Sequence, residues 1–565
     1  MKLPCLSIIV LAHLLLGPLS VNALGATLDS SVTSLHHGSC DINNGETNCT
    51  NIIPSPAKLH SGHSSHGMPI LNMTDLEPQQ RLFWEQYDTT TYWSIANDHK
   101  VMLYLHTFSL IISVMALYPI SIMLSITKSP FYIPVLTTHL IVMLFSLLAF
   151  FIYEPSTPAY LYPNNAYTKM SIILFFVTIV HYVAAIVKSL SEWVIAAGTH
   201  DIVFDDDNSD TIHSISSAHD DLDIDNLEPV TGQPFETKYQ NQLMANIMAN
   251  KWVNSTVCSF GYLSTLVFSL FNPLLFIYHV IFVFTGVAWS FRIGMGNQVF
   301  NVLAHFIKGG VFFLFGLLTW ARFIGAWADK GWAWNLNPND ETQSDEEDIG
   351  NDYEGTKIKI NKKLTMEFIE CFLIFFYGST NIFMEHMANT NGAWSVKDLQ
   401  HASIAFMFLG GGLAGLLCES QVVSRFLPNK KHAISFNPFG AFVIFWTGIL
   451  MSQHEQEIPT STIIHSQWGN LLATAAVFRL FTYTLLYLKP PTNAEPTRPF
   501  TEAIVSFCLI AGGLVFIQSN TETVLGMVYR GIDGMFTLNV TVGATALLMS
   551  WQFVVFAIKG WSERS

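Results

Sequence analysis

Apolar and polar positions alternate along this chain in long blocks rather than in short periods. After residue 100, apolar runs of about 20 residues follow one another, each bounded by polar or charged connectors. About 20 apolar residues are what an α-helix needs to cross the hydrocarbon core of a bilayer. We therefore predict an all-α integral membrane protein with about eleven transmembrane helices, near residues 101–124, 131–153, 169–190, 268–289, 298–320, 366–387, 399–418, 436–453, 466–488, 500–518 and 536–557.

One apolar stretch, residues 257–290, does not fit this spacing. At about 1.5 Å per residue it is longer than one straight crossing needs and too short for two full crossings. Proline lacks the backbone N–H and interrupts helices. We predict that Asn272-Pro273 breaks the stretch, so that an interfacial piece precedes a single crossing.

The first residues have the pattern of a cleaved secretory signal. Lys2 precedes an apolar stretch too short to span a bilayer, and Ala23 gives a cleavage site. Residues 24–100 then begin on the luminal side, and the C-terminus is cytosolic. With eleven crossings most basic residues lie in cytosolic connectors, as the positive-inside rule requires. Beyond the first helix, the basic residues left on the luminal side are Lys169, Arg292, Lys397 and Arg530.

The luminal tail is rich in His, Ser and Asn and has glycosylation sequons at Asn48 and Asn72. Cys40 and Cys49 would close a small disulfide loop in an oxidising lumen. The tail histidines could collect a metal ion, because a flexible chain with this spacing can wrap one, or they belong to a polar linker. They are His36, His37, His60, His63 and His66.

Composition supports a membrane protein and excludes nucleic-acid binding. Of 565 residues, 50% are hydrophobic and 12% charged, and the net charge of -15 comes mostly from two acidic connectors, around residues 201–228 and 337–354. The predicted organisation is a signal peptide (1–23), a luminal tail (24–100), a helical half (101–336), an acidic cytosolic connector (337–363) and a second helical half (364–565). The expected partner is the lipid bilayer of the endoplasmic reticulum, Golgi, vacuole or plasma membrane; homo-oligomerisation stays open.

Four histidines of the second half occur at alternating ends of successive apolar runs, which places them on the same, luminal side of the membrane. They are His386, His401, His454 and His465, and Glu385 precedes the first. Imidazole and carboxylate groups suit zinc, copper, manganese or iron. The same groups could relay protons, because histidine titrates near neutral pH. An ordinary polar belt at the helix ends is the third interpretation.

The first half contains histidines inside its apolar runs, where ionisable groups are costly and suggest function. Counted along the runs, His106 and His305 lie near the luminal face, and His139 and His181 near the cytosolic face. Two histidine pairs at two depths are what two bis-imidazole b haems need to carry electrons across a bilayer. Alternatively, these imidazoles and that of His279 hydrogen-bond neighbouring helices.

Several strings resemble the fungal Ytp family. They are LAHFIKGGVFFLFGLLTWARFIGAWADKGWAWN (303–335), residues 106–119, and YLYPNN (160–165). In that family the N-terminal half is similar to the cytochrome b561 helical core, and the C-terminal half to vertebrate transmembrane-45 proteins. A b561-like core implies haem ligands on successive helices, but Tyr167 stands where a histidine is expected. In the C-terminal half, the resemblance marks a polar set of Glu370, Glu385, Gln400, His401, His454, His465 and Arg479.

Two activities and a structural role therefore remain open. The first activity is haem-dependent transmembrane electron transfer through His106, His139, His181 and His305, with an unidentified donor and acceptor. The second is metal-ion or proton-coupled transport through the luminal histidine cluster. No hydrolase triad, P-loop or kinase signature is present in the sequence.

Overall fold

The structure is a computed structural model. It describes residues 40–43, 46–49, 76–204, 248, 250–335, 365–387, 394, 396–420, 423, 437–491 and 495–564. One antiparallel hairpin pairs β1 (Cys40–Asn43) with β2 (Glu46–Cys49). The helices are α1 (Pro78–Glu85), α2 (Lys100–Ile111), α3 (Tyr118–Ile126), α4 (Tyr132–Tyr153), α5 (Ala166–Phe204), α6 (Lys251–Ser290), α7 (Gln298–Ile324), α8 (Met366–Met387), α9 (Val396–Glu419), α10 (Phe439–Ser452), α11 (Pro459–Leu488), α12 (Phe500–Gln518), α13 (Thr521–Tyr529) and α14 (Gly534–Ser562).

The all-α membrane prediction is confirmed. Within the described ranges, nine helical segments are long and apolar enough to cross a membrane, and α10 is a shorter apolar helix. A π-helical turn, Ile112–Leu117, joins α2 to α3, so that these three pieces form one spanning segment, Lys100–Ile126. Each of the eleven predicted runs overlaps a helix. The predicted signal peptide and the connector 337–363 lie outside the described residues.

The chain forms two compact units. The first contains Thr91–Arg292 and Val555–Ser565, and the second contains Thr33–Thr90 and Ile293–Val554. The division therefore falls after Arg292 and not at the acidic connector, where we expected the two halves to meet. The largest difference is α7, which belongs to the second unit because it packs along α12. The end of α14 also differs, because it belongs to the first unit.

Small residues allow α7 and α12 to approach closely. A Cβ atom added to Gly309 would lie 2.7 Å from the carbonyl oxygen of Gly513, and one added to Gly316 would lie 2.7 Å from the backbone nitrogen of Ile510. Such backbone contact at glycines is typical of helix pairs in membranes, where packing rather than the hydrophobic effect drives association. In the second unit, α12 is buried along most of its length.

The predicted break at Asn272-Pro273 is wrong. Helix α6 is unbroken over its 40 residues, and Pro273 lies inside it. Neighbouring helices hold it just before the proline: the Phe268 ring stacks 5.4 Å from that of His181, and the Tyr118 hydroxyl donates a hydrogen bond of 2.7 Å to the carbonyl of Asn272. Such contacts allow proline within membrane helices. At about 1.5 Å per residue, α6 is roughly 60 Å long, well beyond the hydrocarbon core.

The last part of the predicted luminal tail is folded rather than a linker. Trp84 of α1 is 2% exposed and joins the core of the second unit. Its ring lies 6.2 Å from that of Tyr529 in α13, and the Tyr87 ring lies 5.5 Å from the same ring. Neither short helix was predicted, because both are too brief for a clear apolar period.

The hairpin sets Cys40 directly opposite Cys49. Residues that face each other in an antiparallel pair have neighbouring Cβ atoms, which the predicted disulfide requires. The disulfide stays a prediction. The predicted metal-collecting histidines of the tail lie outside the described residues.

Candidate functional site

Three imidazoles surround one tyrosine ring in the first unit. The ring of Tyr118, on α3, lies 5.0 Å from that of His139 on α4, 6.0 Å from that of His181 on α5 and 4.7 Å from that of His279 on α6. The rings of His139 and His279 are 5.5 Å apart. Each of the four side chains is at most 1% exposed. We call these four residues the imidazole cluster.

The π-helical turn explains why Ser113 and Tyr118 both reach this cluster. In a π-helix the hydrogen bonds run from residue i to i+5, so residues five apart lie nearly in line. Ser113 and Tyr118 have this spacing. Ser113 Oγ is 2.9 Å from His139 Nδ1, and Tyr118 meets the three rings. A regular α-helix would turn these two side chains to different sides.

Asn272 forms hydrogen bonds with two members of the cluster, Tyr118 and His181. Its carbonyl accepts the Tyr118 hydroxyl at 2.7 Å, and its side-chain oxygen lies 3.2 Å from His181 Nε2. Because an amide oxygen only accepts, His181 donates this bond and carries its proton on Nε2.

Two members of the cluster have ring nitrogens without a hydrogen-bond partner. These atoms are Nε2 of His139 and both Nδ1 and Nε2 of His279. An unpaired buried polar group costs about 1–3 kcal/mol, and either a bound water molecule or a functional role can account for it. Within the part of the chain that the structure describes, no group of three or more His, Cys, Asp or Glu side chains is placed to hold a metal ion.

His106 belongs to a second buried layer of the first unit. Its Nδ1 donates to the carbonyl of Ser146 at 2.9 Å, and the hydroxyl of Tyr167 donates to its Nε2 at 2.6 Å. Tyr167 is held in place by stacking on Phe282 and Trp289, at 4.5 and 5.2 Å between ring centroids. The residue noted as a departure from the b561 pattern therefore faces His106 directly.

A polar cavity lies at this end of the first unit. Its volume is about 170 Å³, and its lining includes Tyr92, Glu154, Thr157 and Asn165. Burial raises the pKa of the Tyr92 phenol, so this group is neutral near pH 7. The Tyr92 ring stacks 4.0 Å from that of Trp289, which also contacts Tyr167. The cavity thus lies close to the His106 layer.

The four predicted haem ligands do not form two bis-imidazole pairs. His106 has both ring nitrogens hydrogen-bonded, to Ser146 and to Tyr167. His139 and His181 are near each other, but His181 Nε2 is bonded to Asn272.

A porphyrin does not fit between His139 and His279 either, although their nitrogens face no protein partner. The fully buried ring of Tyr118 lies within 5.0 Å of both imidazole rings. Protein side chains therefore fill the space that the flat macrocycle would need beside its axial ligands.

In the second unit, His305 and His465 face each other. Their rings are 6.2 Å apart, and each Nδ1 bonds to the carbonyl four residues earlier: Asn301 at 2.7 Å and Ser461 at 2.8 Å. From the sequence, His305 was expected to bind haem and His465 a metal ion.

The predicted luminal cluster is only partly described. His401 and His465 lie near the starts of α9 and α11, and His454 follows the end of α10; all three are at least half-buried. The side chains of Glu385 and His386, near the end of α8, lie outside the described residues. The cluster as a whole therefore stays a prediction.

A buried ion network joins side chains of α7, α8, α11 and α12. Glu370 Oε1 lies 3.3 Å from Nη1 of Arg322 and 3.2 Å from Nη1 of Arg479, and Arg479 Nε lies 2.8 Å from Oε1 of Glu502. Glu502 is fully buried and the arginines nearly so. Glu370 and Arg479 both belong to the polar set that the family resemblance marks, which left their partners open. Arg322 and Glu502 were missed, although a charge at the margin of an apolar run is a usable signal.

Comparison with known proteins gives two family matches. Residues 278–560 match the family described as protein YTP1-like, C-terminal, and residues 86–191 match a domain of unknown function, DUF2427. No solved structure matches the chain.

Three fungal relatives are similar in sequence. An uncharacterized membrane protein of Saccharomyces cerevisiae, YCR061W, is 36% identical, with 90% of each chain covered. A Schizosaccharomyces pombe membrane protein, C3B8.06, is 39% identical over 49% of this chain and 55% of its own. Protein YTP1 of Saccharomyces cerevisiae is 25% identical over 33% of this chain and 38% of its own.

Proposed function

Because the chain belongs to the YTP1-like family of fungal membrane proteins, we propose that it is a membrane transport protein whose first unit transfers protons through the imidazole cluster. The observation that carries this proposal is the pair His139 and His279, buried side by side with three ring nitrogens that no protein group satisfies. We also propose that the protein lies in a membrane of the secretory pathway, with its N-terminus on the luminal side.

Imidazole suits this task because either ring nitrogen can carry the proton. A proton that arrives at Nε2 of His139 makes an imidazolium ion. The ion releases its other proton from Nδ1 to Ser113 Oγ, 2.9 Å away, while Ser113 gives its own hydroxyl proton to the next water molecule or hydroxyl group on the path, and the ring becomes neutral again in the other tautomer. Ser113 can accept and donate, because its hydroxyl rotates. The two unpaired nitrogens of His279 would exchange protons through water, because no protein group bonds to either of them.

The second buried layer extends the path. His106 lies seven residues before Ser113, which is about 10 Å along the helix. Ser109, also buried, lies between them on the same helix. His106, Tyr167 and the cavity near Glu154 would then connect the imidazole cluster with one aqueous face. Water or hydroxyl groups would carry protons over the remaining gaps.

Proton flux into proteoliposomes tests the proposal. Under a potassium diffusion potential with a pH-sensitive dye inside, the wild type should acidify the vesicles. His279→Leu should reduce the flux about tenfold or more, and Tyr118→Phe should reduce it less, because it removes only the bond to Asn272. The matched control is His99→Ala, an exposed histidine at the start of α2. Equal flux in wild type, His279→Leu and empty vesicles would sink the proposal.

A second candidate is metal handling at the histidine-rich ends of the second unit. Metal-binding histidines are usually oriented by an N–H bond to a carbonyl, and His305 and His465 both have this bond. Similarity to the b561 core and to transmembrane-45 proteins remains a further hypothesis. Elemental analysis of a purified sample tests for a bound metal ion, and a reduced-minus-oxidised absorption spectrum of the same sample tests for haem. We expect no haem band, because Tyr118 fills the space beside His139 and His279.

A further inference from the structure

The segment after α7 is folded against the second unit in an unusual backbone conformation. Residues 325–335 contain two tryptophans in the left-handed region, Trp327 with φ 58° and Trp334 with φ 54°. Non-glycine residues rarely adopt such angles, and they persist where the surroundings hold them. Trp334 is 7% exposed and Ala333 is fully buried. The end of this segment is therefore tucked into the protein, although its conformation is strained.

Arg322, near the end of α7, holds the segment on its buried side. Arg322 Nε donates a hydrogen bond of 2.7 Å to the carbonyl of Trp332, and its guanidinium lies 4.1 Å from the centre of the Trp334 ring. The same guanidinium bonds to Glu370 through Nη1. Arg322 thus joins the segment to the buried ion network, in which Arg479 also lies 5.8 Å from the Trp334 ring.

The outer side of the segment is held by exposed groups. The backbone N–H of Thr497 donates to the carbonyl of Ala333 at 3.3 Å, and the Thr497 hydroxyl donates to the carbonyl of Trp334. Thr497 is exposed, so water competes for both bonds. Glycines with positive φ, Gly325 at 121° and Gly331 at 77°, lie at the start and middle of the segment. Such glycines accommodate the changes in φ and ψ that a moving segment needs.

We propose that residues 325–335 form a lid over the ion network of Arg322, Glu370, Arg479 and Glu502, and that Arg322 is its latch. In the closed state described here, Trp334 covers the two guanidinium groups. Release of Arg322 from the Trp332 carbonyl opens the lid and gives water access to the network. The strained tryptophans favour opening, whereas the Arg322 contacts favour closure. The lid is independent of the proton path proposed for the first unit.

Limited trypsin digestion of the full-length protein in detergent tests the lid. The bond after Lys330 lies within the lid, and the bond after Arg479 lies in the buried middle of α11. Arg322→Lys keeps the charge but removes the planar group that bonds Trp332 and stacks on Trp334. We expect cleavage after Lys330 to become about tenfold faster, with no change after Arg479. Thr497→Val, which removes only the outer side-chain bond, should give a smaller increase in the same direction.

The matched control is Lys559→Gln, which removes an exposed ion pair with Glu563 and should leave cleavage after Lys330 unchanged. Two results would overturn the lid. In one, Arg322→Lys and Thr497→Val are cleaved after Lys330 at the wild-type rate. In the other, cleavage after Lys330 and after Arg479 rises in proportion, which would mean that Arg322 supports the whole unit rather than this segment.

Discussion

Buried polar side chains are arranged differently in the two units. In the first unit, His139 and His279 have unsatisfied nitrogens. In the second unit, two arginines and two glutamates neutralise one another at 2.8–3.3 Å. Unpaired imidazole nitrogens can exchange a proton with any group or water molecule that reaches them, although a charge is costly in a buried site, whereas a buried ion network mainly fixes structure.

Glu370→Gln tests the structural role of the network. The substitution leaves Arg322 and Arg479 with one carboxylate, and removing one partner of a buried pair costs about 3 kcal/mol. Thermal unfolding in detergent should show a clearly lower midpoint. The control Lys559→Gln breaks an exposed pair, which is worth about 0.5 kcal/mol or less. Equal midpoints for the two variants would contradict this assignment.

At the scale of helices, the apolar pattern predicted where helices occur but not which faces meet. Counting along the apolar runs predicted that His139 and His181 lie at a similar depth, and both rings lie beside Tyr118. The partner of His139 across the cluster is nevertheless His279, and His305 meets His465. Depth follows from counting residues along one helix, whereas the identity of a neighbour depends on how helices rotate and pair, which requires tertiary contacts.

Adjacent glycines of α7 provide a matched test of helix pairing. A methyl group at Gly309 would meet backbone atoms of α12 at 2.7–2.9 Å, whereas one at Gly310 meets nothing within 4 Å. Gly309→Ala should therefore lower the free energy of unfolding by about 1–3 kcal/mol through overpacking. Gly310→Ala should raise it by up to about 1 kcal/mol through helix propensity. Denaturant unfolding in mixed micelles measures both, and a loss of equal size in the two variants would contradict the close α7–α12 contact.

At the scale of the whole molecule, the sequence predicted the class of protein and most spanning segments, but it placed the division between the units one helix too late. The acidic connector is the clearest change in composition, yet α7 precedes it and packs with α12. Composition marks where a chain is solvated; packing decides which helices form one unit.

Glycan mapping tests the predicted topology. Peptide N-glycosidase should lower the apparent mass of the wild type but not that of Asn48→Gln/Asn72→Gln. An acceptor loop inserted in the α10–α11 connector, near Glu455, should be glycosylated, because this connector is predicted to be luminal. The same loop inserted in the α11–α12 connector, near Glu495, should remain unmodified. The opposite pattern would place the predicted luminal histidines on the cytosolic side.

The central claim is that the imidazoles of His139 and His279 exchange protons inside the first unit. Solid-state ¹⁵N NMR of protein labelled only at histidine, in lipid and at several pH values, measures this directly. Signals that disappear in His139→Gln and His279→Gln identify the two residues. We predict that these signals change between protonated and unprotonated ring nitrogens as the pH is varied. A single fixed tautomer for both residues at every pH would contradict the account.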